Sequence, residues 1–561
     1  MRRVLIVALV LLFALALLSC SPSETPTAQQ PTAQQTTSPP TSTAPAAVSA
    51  PKKNVSVGVA APVYCVDGSS KPCSMMPHDV VEGFGYGSSP MAAATQDDFD
   101  NFSWQSFVAL NWPANPDGTP NPSAPLNSNP AVARVWDYYK DADEVFLPNG
   151  ATPDKNYPSK KYPPPPPQCI ANGSLLKGER VISMASKIND VTNIVSSFEE
   201  AVVDVPLIDS NGNFIVYDVA MNKDEFEYIA VQNAYYNSNN QKGANISFTP
   251  GAKAGAEGSI ELKTAWKILT ATDDATSYIT RIMRIYVPAQ HSSTGKAFCT
   301  PTLKMGLIGM HIIHKGANQP DWIWSTFEHI RNAPLSSTPL SATATAPSGP
   351  CNAPRNAPLM SLYNPACKTC PINAPPVQPD DPFYFATSQP YAKQYLNNGY
   401  GTQVVRCSSV WDAPNATAYL NTQWRAQVPK PYSNYMLIGS QWEALETLTA
   451  HKARPQATTI GPHVANGGQQ LNKGKLADGI TPAPPYMQNT AAETYLQNAA
   501  PLMSTYGLGS CLGCHTGAQG AACEASDLSF MLGRAQPPQQ CEEAKRANIV
   551  KLLAAHRGGR K

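Results

Sequence analysis

The chain has 561 residues, of which 42% are hydrophobic and 14% are charged, and its formal net charge at pH 7 is +1. This length is enough for several domains, whereas the near-zero charge argues against a nucleic-acid-binding protein, whose affinity depends on clustered Lys and Arg. The 13 cysteines are an odd number, so they do not all pair in intramolecular disulfides.

The beginning of the sequence predicts a targeting segment. Arg2 and Arg3 precede an apolar run over residues 4–18, and the sequence LLSC then ends at Cys20. The run suits the hydrophobic region of a signal peptide and is short for a transmembrane helix, which needs about twenty residues. LLSC resembles the lipobox of bacterial lipoproteins, which implies that residues 1–19 are removed and that Cys20 carries the lipid. A plain signal peptide with an incidental cysteine is the alternative.

The segment after Cys20 is predicted to be a tether, over residues 20–54. It is rich in Pro, Thr, Gln and Ala, and such a composition buries too little apolar surface to offset the entropy of ordering. Extended at about 3.1 Å per residue, thirty residues span roughly 90 Å. Because Ser21 rather than Asp follows the lipidated position, the lipoprotein resemblance implies an outer-membrane location, periplasmic or surface-exposed.

Residues 55–488 are predicted to form a large, irregular, disulfide-containing α+β domain. Helices are predicted over residues 98–110 and 132–139, and strands over residues 213–219, 260–269, 278–287 and 303–313. Trp322 and Trp324 alternate as strand residues do. Residues 334–357 are rich in Pro, Ser, Thr and Ala and are predicted to be a loop. Strands and helices mix without a βαβ rhythm, which favours α+β.

A chemical motif lies near the C-terminus, in a small segment over residues 489–561 with helices predicted over residues 489–499 and 547–556. Cys511-Leu512-Gly513-Cys514-His515 has the CxxCH pattern of covalent haem attachment. The spacing lets two thiols reach the two vinyl groups of the porphyrin, and His515 then binds the iron as proximal ligand. The alternative is a CxxC disulfide or redox pair with an incidental histidine.

A second CxxC pair provides an internal comparison. Cys367 and Cys370 have the same spacing, but Pro371 follows them where the haem motif has histidine. These cysteines therefore lack the proximal ligand and are predicted to contribute to disulfides, with a redox pair as the alternative.

Together, the lipobox and the CxxCH motif resemble a bacterial c-type cytochrome lipoprotein with one haem c. The segments GLIGMHIIHK and WIWSTFEHI are similar to those of uncharacterised cytochrome-c-like bacterial proteins. Small class I cytochromes c have an axial Met well downstream of CxxCH, whereas Met531 is only sixteen positions after His515. The sixth iron ligand therefore stays open among Met531 and the following histidines of the large domain: His311, His314, His329 and His463.

The pair His311 and His314 is also considered as a zinc site. Two histidines at i and i+3 share one face of a helix and chelate zinc, but Ile312 and Ile313 favour a strand, in which positions i and i+3 face opposite ways. The sequence also lacks the glutamate of an HExxH motif. Iron ligation is therefore the metal chemistry expected here.

The motifs account for the odd cysteine count. Lipid takes Cys20 and haem takes Cys511 and Cys514, which leaves ten of the 13 cysteines for up to five disulfides in an oxidising compartment. Local pairs are expected between Cys65 and Cys73 and between Cys523 and Cys541. The remaining pairing does not follow from sequence.

These features predict a membrane-anchored, extracytoplasmic monohaem cytochrome that transfers single electrons to or from a redox partner protein or a small molecule. One alternative is an oxidoreductase whose large domain binds a substrate and uses the haem as an electron outlet. A second alternative is a surface binding module with a structural haem. Six-coordinate iron that exchanges electrons quickly favours the carrier, whereas five-coordinate iron that reacts with peroxide favours the enzyme.

Overall fold

A long antiparallel sheet forms the centre of the computed structural model. The structure describes residues 63–80, 96–128, 132–171, 173–183, 206–251, 257–316, 319–340, 351–376, 383–408, 416–443, 482–483, 487–497, 511–515 and 518–537. All of these residues belong to one contact unit, residues 59–561. The predicted signal peptide and tether, including Cys20, lie outside the described residues, as do His463, Cys541 and the helix predicted over residues 547–556.

Strands dominate the described part of the chain. They are β1 (Lys140–Asp141), β2 (Arg180–Ser183), β3 (Val216–Met221), β4 (Ile260–Ile268), β5 (Thr280–Val287), β6 (Phe298–Cys299), β7 (Leu303–Gly316), β8 (Gln319–His329), β9 (Leu335–Leu340), β10 (Arg406–Ser408), β11 (Tyr435–Glu443) and β12 (Pro482–Ala483). The main sheet has the order β1-β3-β4-β7-β8-β11-β12, and β5 joins it beside β7 together with β2 and β6. Strand pairs along this order are antiparallel, whereas β2 and β5 pair in parallel.

Helices in the described residues are mostly short. The α-helices are α1 (Gln96–Leu110), α2 (Ala142–Val145), α3 (Pro167–Ile170), α4 (Lys223–Phe226), α5 (Ala416–Gln427) and α6 (Cys511–His515). A π-helix follows α4 at Glu227–Gln232. Single 3₁₀ turns include Val135–Tyr138, Thr494–Leu496 and Met531–Arg534. The combination of helices with a mainly antiparallel sheet confirms the predicted α+β class. The domain contains more regular sheet than the prediction of an irregular domain suggested.

The helix α1 packs across one face of the sheet and is almost completely buried. Asp97 and Asp98 lie in its first turn, where they complement the helix dipole, and Pro113 follows its end and prevents continuation. Its Ser103 Oγ lies 2.7 Å from Ser325 Oγ and 2.6 Å from Ser440 Oγ, so β8 and β11 satisfy this buried hydroxyl. The prediction of a helix over residues 98–110 is confirmed.

The helix α5 lies beside α1 on this face. Trp104 of α1 and Trp424 of α5 stack with ring centroids 5.8 Å apart. The Trp104 indole N–H also donates to Asn421 Oδ1 at 3.0 Å, which satisfies a buried polar group in this layer. We call the side of the sheet that contacts α1 and α5 the helix face, and the opposite side the motif face.

The four predicted strands are confirmed, whereas one predicted helix and part of one predicted loop are wrong. Residues 213–219, 260–269, 278–287 and 303–313 correspond to β3, β4, β5 and β7. Of the helix predicted over residues 132–139, only the 3₁₀ turn Val135–Tyr138 forms, since Arg134 is extended. Part of the loop predicted over residues 334–357 is strand β9, because β10 provides it with a parallel partner. Tertiary pairing thus outweighs local composition.

Residues 489–497 form a turn and one 3₁₀ turn rather than the start of the helix predicted over residues 489–499. Polar bonds to the sheet fix this irregular backbone. Asn489 Nδ2 donates to Thr326 Oγ1 at 2.9 Å and to the carbonyl oxygen of Phe327 at 3.0 Å. Side chains that bond to strand atoms compete with helical hydrogen bonding.

Candidate haem site

The CxxCH motif lies on the motif face of the sheet, in helix α6. The backbone N–H of Leu512 donates to Gln441 Oε1 of β11 at 3.0 Å, and the Leu512 side chain is fully buried. Cys511 is half-buried and packs against the apolar cluster that contains Leu512 and Trp324. The side chain of Cys514 lies outside the described residues. The sheet therefore anchors the backbone of the motif directly.

His515, the predicted proximal ligand, is oriented by one backbone carbonyl. Its Nδ1 lies 2.7 Å from the carbonyl oxygen of Leu528. A carbonyl accepts a proton and does not donate one, so this bond selects the tautomer with hydrogen on Nδ1 and leaves the Nε2 electron pair for a metal. Metal-binding histidines typically have such an outer hydrogen bond.

Burial keeps the imidazole of His515 in the neutral form that binds iron. Desolvation lowers the pKa of His515 to about 3, although the hydrogen bond to Leu528 opposes this shift. Two aromatic rings flank the imidazole: the Trp324 centroid is 4.4 Å and the Phe530 centroid 4.8 Å from that of His515. Packing on these sides fixes the plane of the ring.

The carbonyl that contacts His515 belongs to a turn with unusual backbone geometry. Asp527 and Leu528 have φ values of 51° and 70°, in the left-handed region that residues other than glycine rarely adopt. Asp527 fixes this turn to the sheet: its carboxylate accepts from Lys315 Nζ and from the backbone N–H of Phe248, and its carbonyl accepts from Trp322 Nε1 at 2.9 Å. Such conformations persist when the surroundings impose them, and they cluster at functional sites.

The chemistry of the described residues suits a covalently attached haem. His515 is partly exposed, and its Nδ1 is already occupied by the Leu528 carbonyl, which leaves Nε2 as the donor to iron. A neutral imidazole is the proximal iron ligand of c-type haem, and the neighbouring cysteines are the residues that would attach the porphyrin.

Two of the predicted sixth ligands lie on the helix face, away from His515. Side chains alternate along β7, so His314 faces the same way as Ile312, and its ring lies 5.3 Å from that of Phe102 in α1. His314 Nε2 lies 2.6 Å from the carbonyl oxygen of Glu257. In β8, His329 stacks on Tyr278 at 4.2 Å.

Both ring nitrogens of His329 have backbone partners. Nε2 lies 3.0 Å from the carbonyl oxygen of Ser277, and Nδ1 accepts from the N–H of Arg331 at 3.3 Å. Burial lowers the pKa of His329 to about 4, so this ring is neutral. The surroundings of His329 are those of a structural core histidine.

The buried neutral His314 makes stability depend on pH. Burial lowers the pKa of His314 to about 4, against about 6.5 in an unfolded chain. Between pH 6.5 and pH 4 the unfolded chain takes up a proton at His314, whereas the folded protein does not. The stability that the neutral His314 contributes is therefore complete above pH 6.5 and is lost as the pH falls towards 4. The stability difference between wild type and His314→Gln should therefore shrink by about 3 kcal/mol from pH 7 to pH 4. Urea unfolding across this range measures it, and a constant difference contradicts the neutral buried state.

His311 lies on the motif face. It pairs with Thr326 of β8, two residues from the Ile313–Trp324 pair, and Trp324 contacts His515. Its Nε2 is 3.2 Å from Glu493 Oε1. His311, Glu493 and Lys263 all contribute to the electrostatic environment of His515. Because His311 and His314 face opposite sides of β7, they do not form a shared zinc site.

Met531 lies in the same apolar cluster as Leu512 and Trp322. Its side chain is 1% exposed, on the turn Met531–Arg534. The sulfur is therefore packed inside the protein, whereas the neighbouring Phe530 is 45% exposed and contacts the His515 ring.

Four disulfides are present among the described residues. Cys65–Cys73 is a pair that the sequence predicted, whereas Cys367–Cys370, Cys169–Cys299 and Cys351–Cys407 are pairs that the sequence left open. Cys523 is also disulfide-bonded, whereas its expected partner Cys541 lies outside the described residues. Extensive disulfide pairing is typical of extracytoplasmic proteins.

Comparison of the chain with protein-family models, with curated proteins and with solved structures finds no match. Within the described part of the chain, no helix has both the length and the hydropathy needed to cross a bilayer. The same residues contain no group of three or more His, Cys, Asp or Glu side chains placed close enough together to hold a metal ion.

Sequence reasoning missed several residues that complete the site. Leu528 contacts His515 through its backbone carbonyl, and Asp527 fixes the turn that holds this carbonyl. Glu493 contacts His311 of the sheet. None of these contacts has a sequence signature. Trp324, whose alternation with Trp322 predicts a strand residue, is buried in β8 and also packs against His515. The cluster of left-handed residues near Leu528 has no glycine or asparagine to signal it.

Proposed function

We propose that the protein is a membrane-anchored, extracytoplasmic monohaem c-type cytochrome that functions in electron transfer. The observation that carries this proposal is the hydrogen bond of His515 Nδ1 to the carbonyl oxygen of Leu528, which prepares Nε2 for iron within a CxxCH motif. A CxxC disulfide pair does not require an oriented, neutral histidine beside it. The flanking rings of Trp324 and Phe530 are the apolar surroundings that haem requires.

In this function, Cys511 and Cys514 hold the porphyrin through thioether bonds and His515 binds the iron. Bound haem supplies an iron centre that alternates between the ferric and ferrous states. The Leu528 carbonyl keeps the Nδ1 proton of His515 in place and so strengthens the imidazole as a donor. Trp324 and Phe530 exclude water from the flanks of His515, and the resulting low polarity tunes the reduction potential.

The proposed location rests on the N-terminal sequence and is supported by the disulfides. The lipobox at Cys20 implies a lipid anchor in the outer membrane. Disulfides such as Cys169–Cys299 persist in oxidising compartments. Haem attachment to CxxCH takes place in the same compartment, so the two requirements agree.

Covalent haem is the direct test of this proposal. The mature chain, expressed with periplasmic haem maturation, should give a pyridine haemochrome spectrum of one haem c per chain. Replacing both Cys511 and Cys514 with alanine should abolish the covalent haem completely, because both thioether bonds are lost. Haem stain on a denaturing gel measures the same loss independently of the spectrum.

The second CxxC pair is a matched control for this experiment. Cys367→Ala with Cys370→Ala removes the same number of thiols at the same spacing, but no histidine follows them. This variant should keep its covalent haem. Wild-type protein without covalent haem, or haem that survives the loss of Cys511 and Cys514, would refute the proposal.

A further inference from the structure

We infer that His311 is the second axial ligand of the haem iron and that Glu493 is its positioning residue. This inference rests on the proposed function, because it assigns a residue of the large sheet to the iron of that haem. It also gives part of the large domain a role, since the sheet would then supply one side of the iron coordination.

The first argument is the face of the sheet. His311 pairs with Lys263 of β4 and Thr326 of β8, and the neighbouring pair on this face is Ile313 with Trp324. Trp324 in turn contacts His515. His311 is therefore on the same face of the sheet as Trp324, diagonal to it and two residues along from its direct partner Ile313.

The second argument is the carboxylate next to His311. Glu493 Oε1 is 3.2 Å from His311 Nε2, within hydrogen-bonding distance although the ring N–H is not aligned with the oxygen. A carboxylate beside one ring nitrogen favours the proton there and leaves the other nitrogen as an electron-pair donor. Carboxylate–histidine pairs of this kind orient metal ligands and increase their basicity.

Glu493 is held in this position by the backbone of its own segment. The Asn489 N–H donates to Glu493 Oε2 at 2.8 Å, which fixes the side chain independently of His311. The carboxylate is thus already in place before a ligand binds.

The third argument is the placement of the other candidates. The sheet separates His314 and His329 from His515, and both rings contact backbone carbonyls on the helix face. Met531 is 1% exposed within a packed apolar cluster. The side chains of His311 and Glu493 are 11% and 27% exposed, so this pair is less deeply buried than Met531.

Spin-state spectroscopy of the full-length holoprotein tests the assignment. Wild type should be low-spin in both oxidation states and should lack the ferric charge-transfer band that methionine–iron ligation produces. His311→Ala should lose the low-spin ferric spectrum and become high-spin, and added imidazole should restore the low-spin form. Restoration would show that the variant is folded and that only the ligand is missing.

Met531→Leu is the matched control and should keep the wild-type spectrum, because leucine fills the same apolar volume. His463→Ala should also remain low-spin. A low-spin His311→Ala protein, or a high-spin spectrum in either control, would overturn the assignment while leaving the covalent haem intact. Wild-type protein without covalent haem would instead overturn the proposed function together with this inference.

Glu493→Gln tests the positioning role separately. The amide keeps the size of the side chain but loses the charge, so His311 should remain bound and become a weaker donor. The expected result is a low-spin spectrum with a raised reduction potential, measured by redox titration. A potential equal to that of wild type would show that Glu493 does not act on the iron through His311.

Discussion

Replacing Glu328 with alanine is expected to lower the free energy of unfolding by about 3–5 kcal/mol, the cost of breaking a buried ion pair. Glu328 and Arg406 are both buried, and two guanidinium nitrogens contact the carboxylate, NH1 at 2.9 Å and NH2 at 2.5 Å. Alanine leaves the buried charge of Arg406 without its partner. Guanidinium chloride unfolding, followed by tryptophan fluorescence, measures the change.

Glu328 also connects the sheet to the segment that carries Glu493. Its carboxylate accepts from the backbone N–H of Thr490 at 2.6 Å and from the Thr490 hydroxyl. Loss of these bonds should loosen residues 489–497, so the holoprotein of Glu328→Ala should contain a larger high-spin fraction than wild type. The stability change and the spectral change thus have one structural cause.

A double variant separates the lost ion pair from lost packing. Glu328→Met with Arg406→Met removes both charges and keeps apolar volume, and replacing both partners of a buried pair is often close to neutral. The double variant should therefore be clearly more stable than Glu328→Ala. If Glu328→Ala costs less than about 1 kcal/mol, the range of an exposed pair, the carboxylate is not buried as described.

Removal of the Cys169–Cys299 disulfide is expected to have the second large effect on stability. The two residues are 130 positions apart, and closure of a loop of that length restricts the unfolded chain by about 5 kcal/mol in the chain-entropy description. Both cysteines are buried, and the bond ties α3 to β6. Cys169→Ala with Cys299→Ala should lower the unfolding midpoint in guanidinium chloride accordingly.

The Cys367–Cys370 disulfide is the control, since its partners are only three positions apart. The same entropy description assigns it roughly 2 kcal/mol, so its removal should shift the midpoint by less than half as much. Equal shifts for the two double variants would contradict an origin in loop closure. Neither variant removes a residue of the haem site, so both should keep covalent haem.

The fold was predictable where pattern and length act locally. The helix over residues 98–110 and the strands over residues 260–269, 278–287 and 303–313 follow from apolar periodicity and β-branched content. Strand β11 was not predicted, because Ser440 and Gln441 interrupt its apolar pattern. Those two side chains bond to α1 and α6 respectively, so their polarity is explained only by the elements that pack on them.

The candidate site was predictable only in its CxxCH motif. Spacing alone marks Cys511, Cys514 and His515 as candidates, because thioether attachment of haem requires that arrangement within five residues. The order of the sixth-ligand candidates was not predictable, because His311, His314 and His329 are all buried strand residues with similar neighbours in sequence. Which of them faces His515 depends on the register of β7 against β8, and a shift of one residue would exchange the faces.

The sequence by itself determined the features that depend on short spacing: the lipobox-like end of the apolar run, the CxxCH motif, the odd number of cysteines and the main strands. The tertiary structure alone decided which cysteines pair across the chain, how Leu528 orients His515, and which histidine lies on the motif face. The physical reason is distance along the chain. Bond geometry within a few residues is set locally, whereas contacts such as His311 with Glu493 form only when sheet register brings remote segments together.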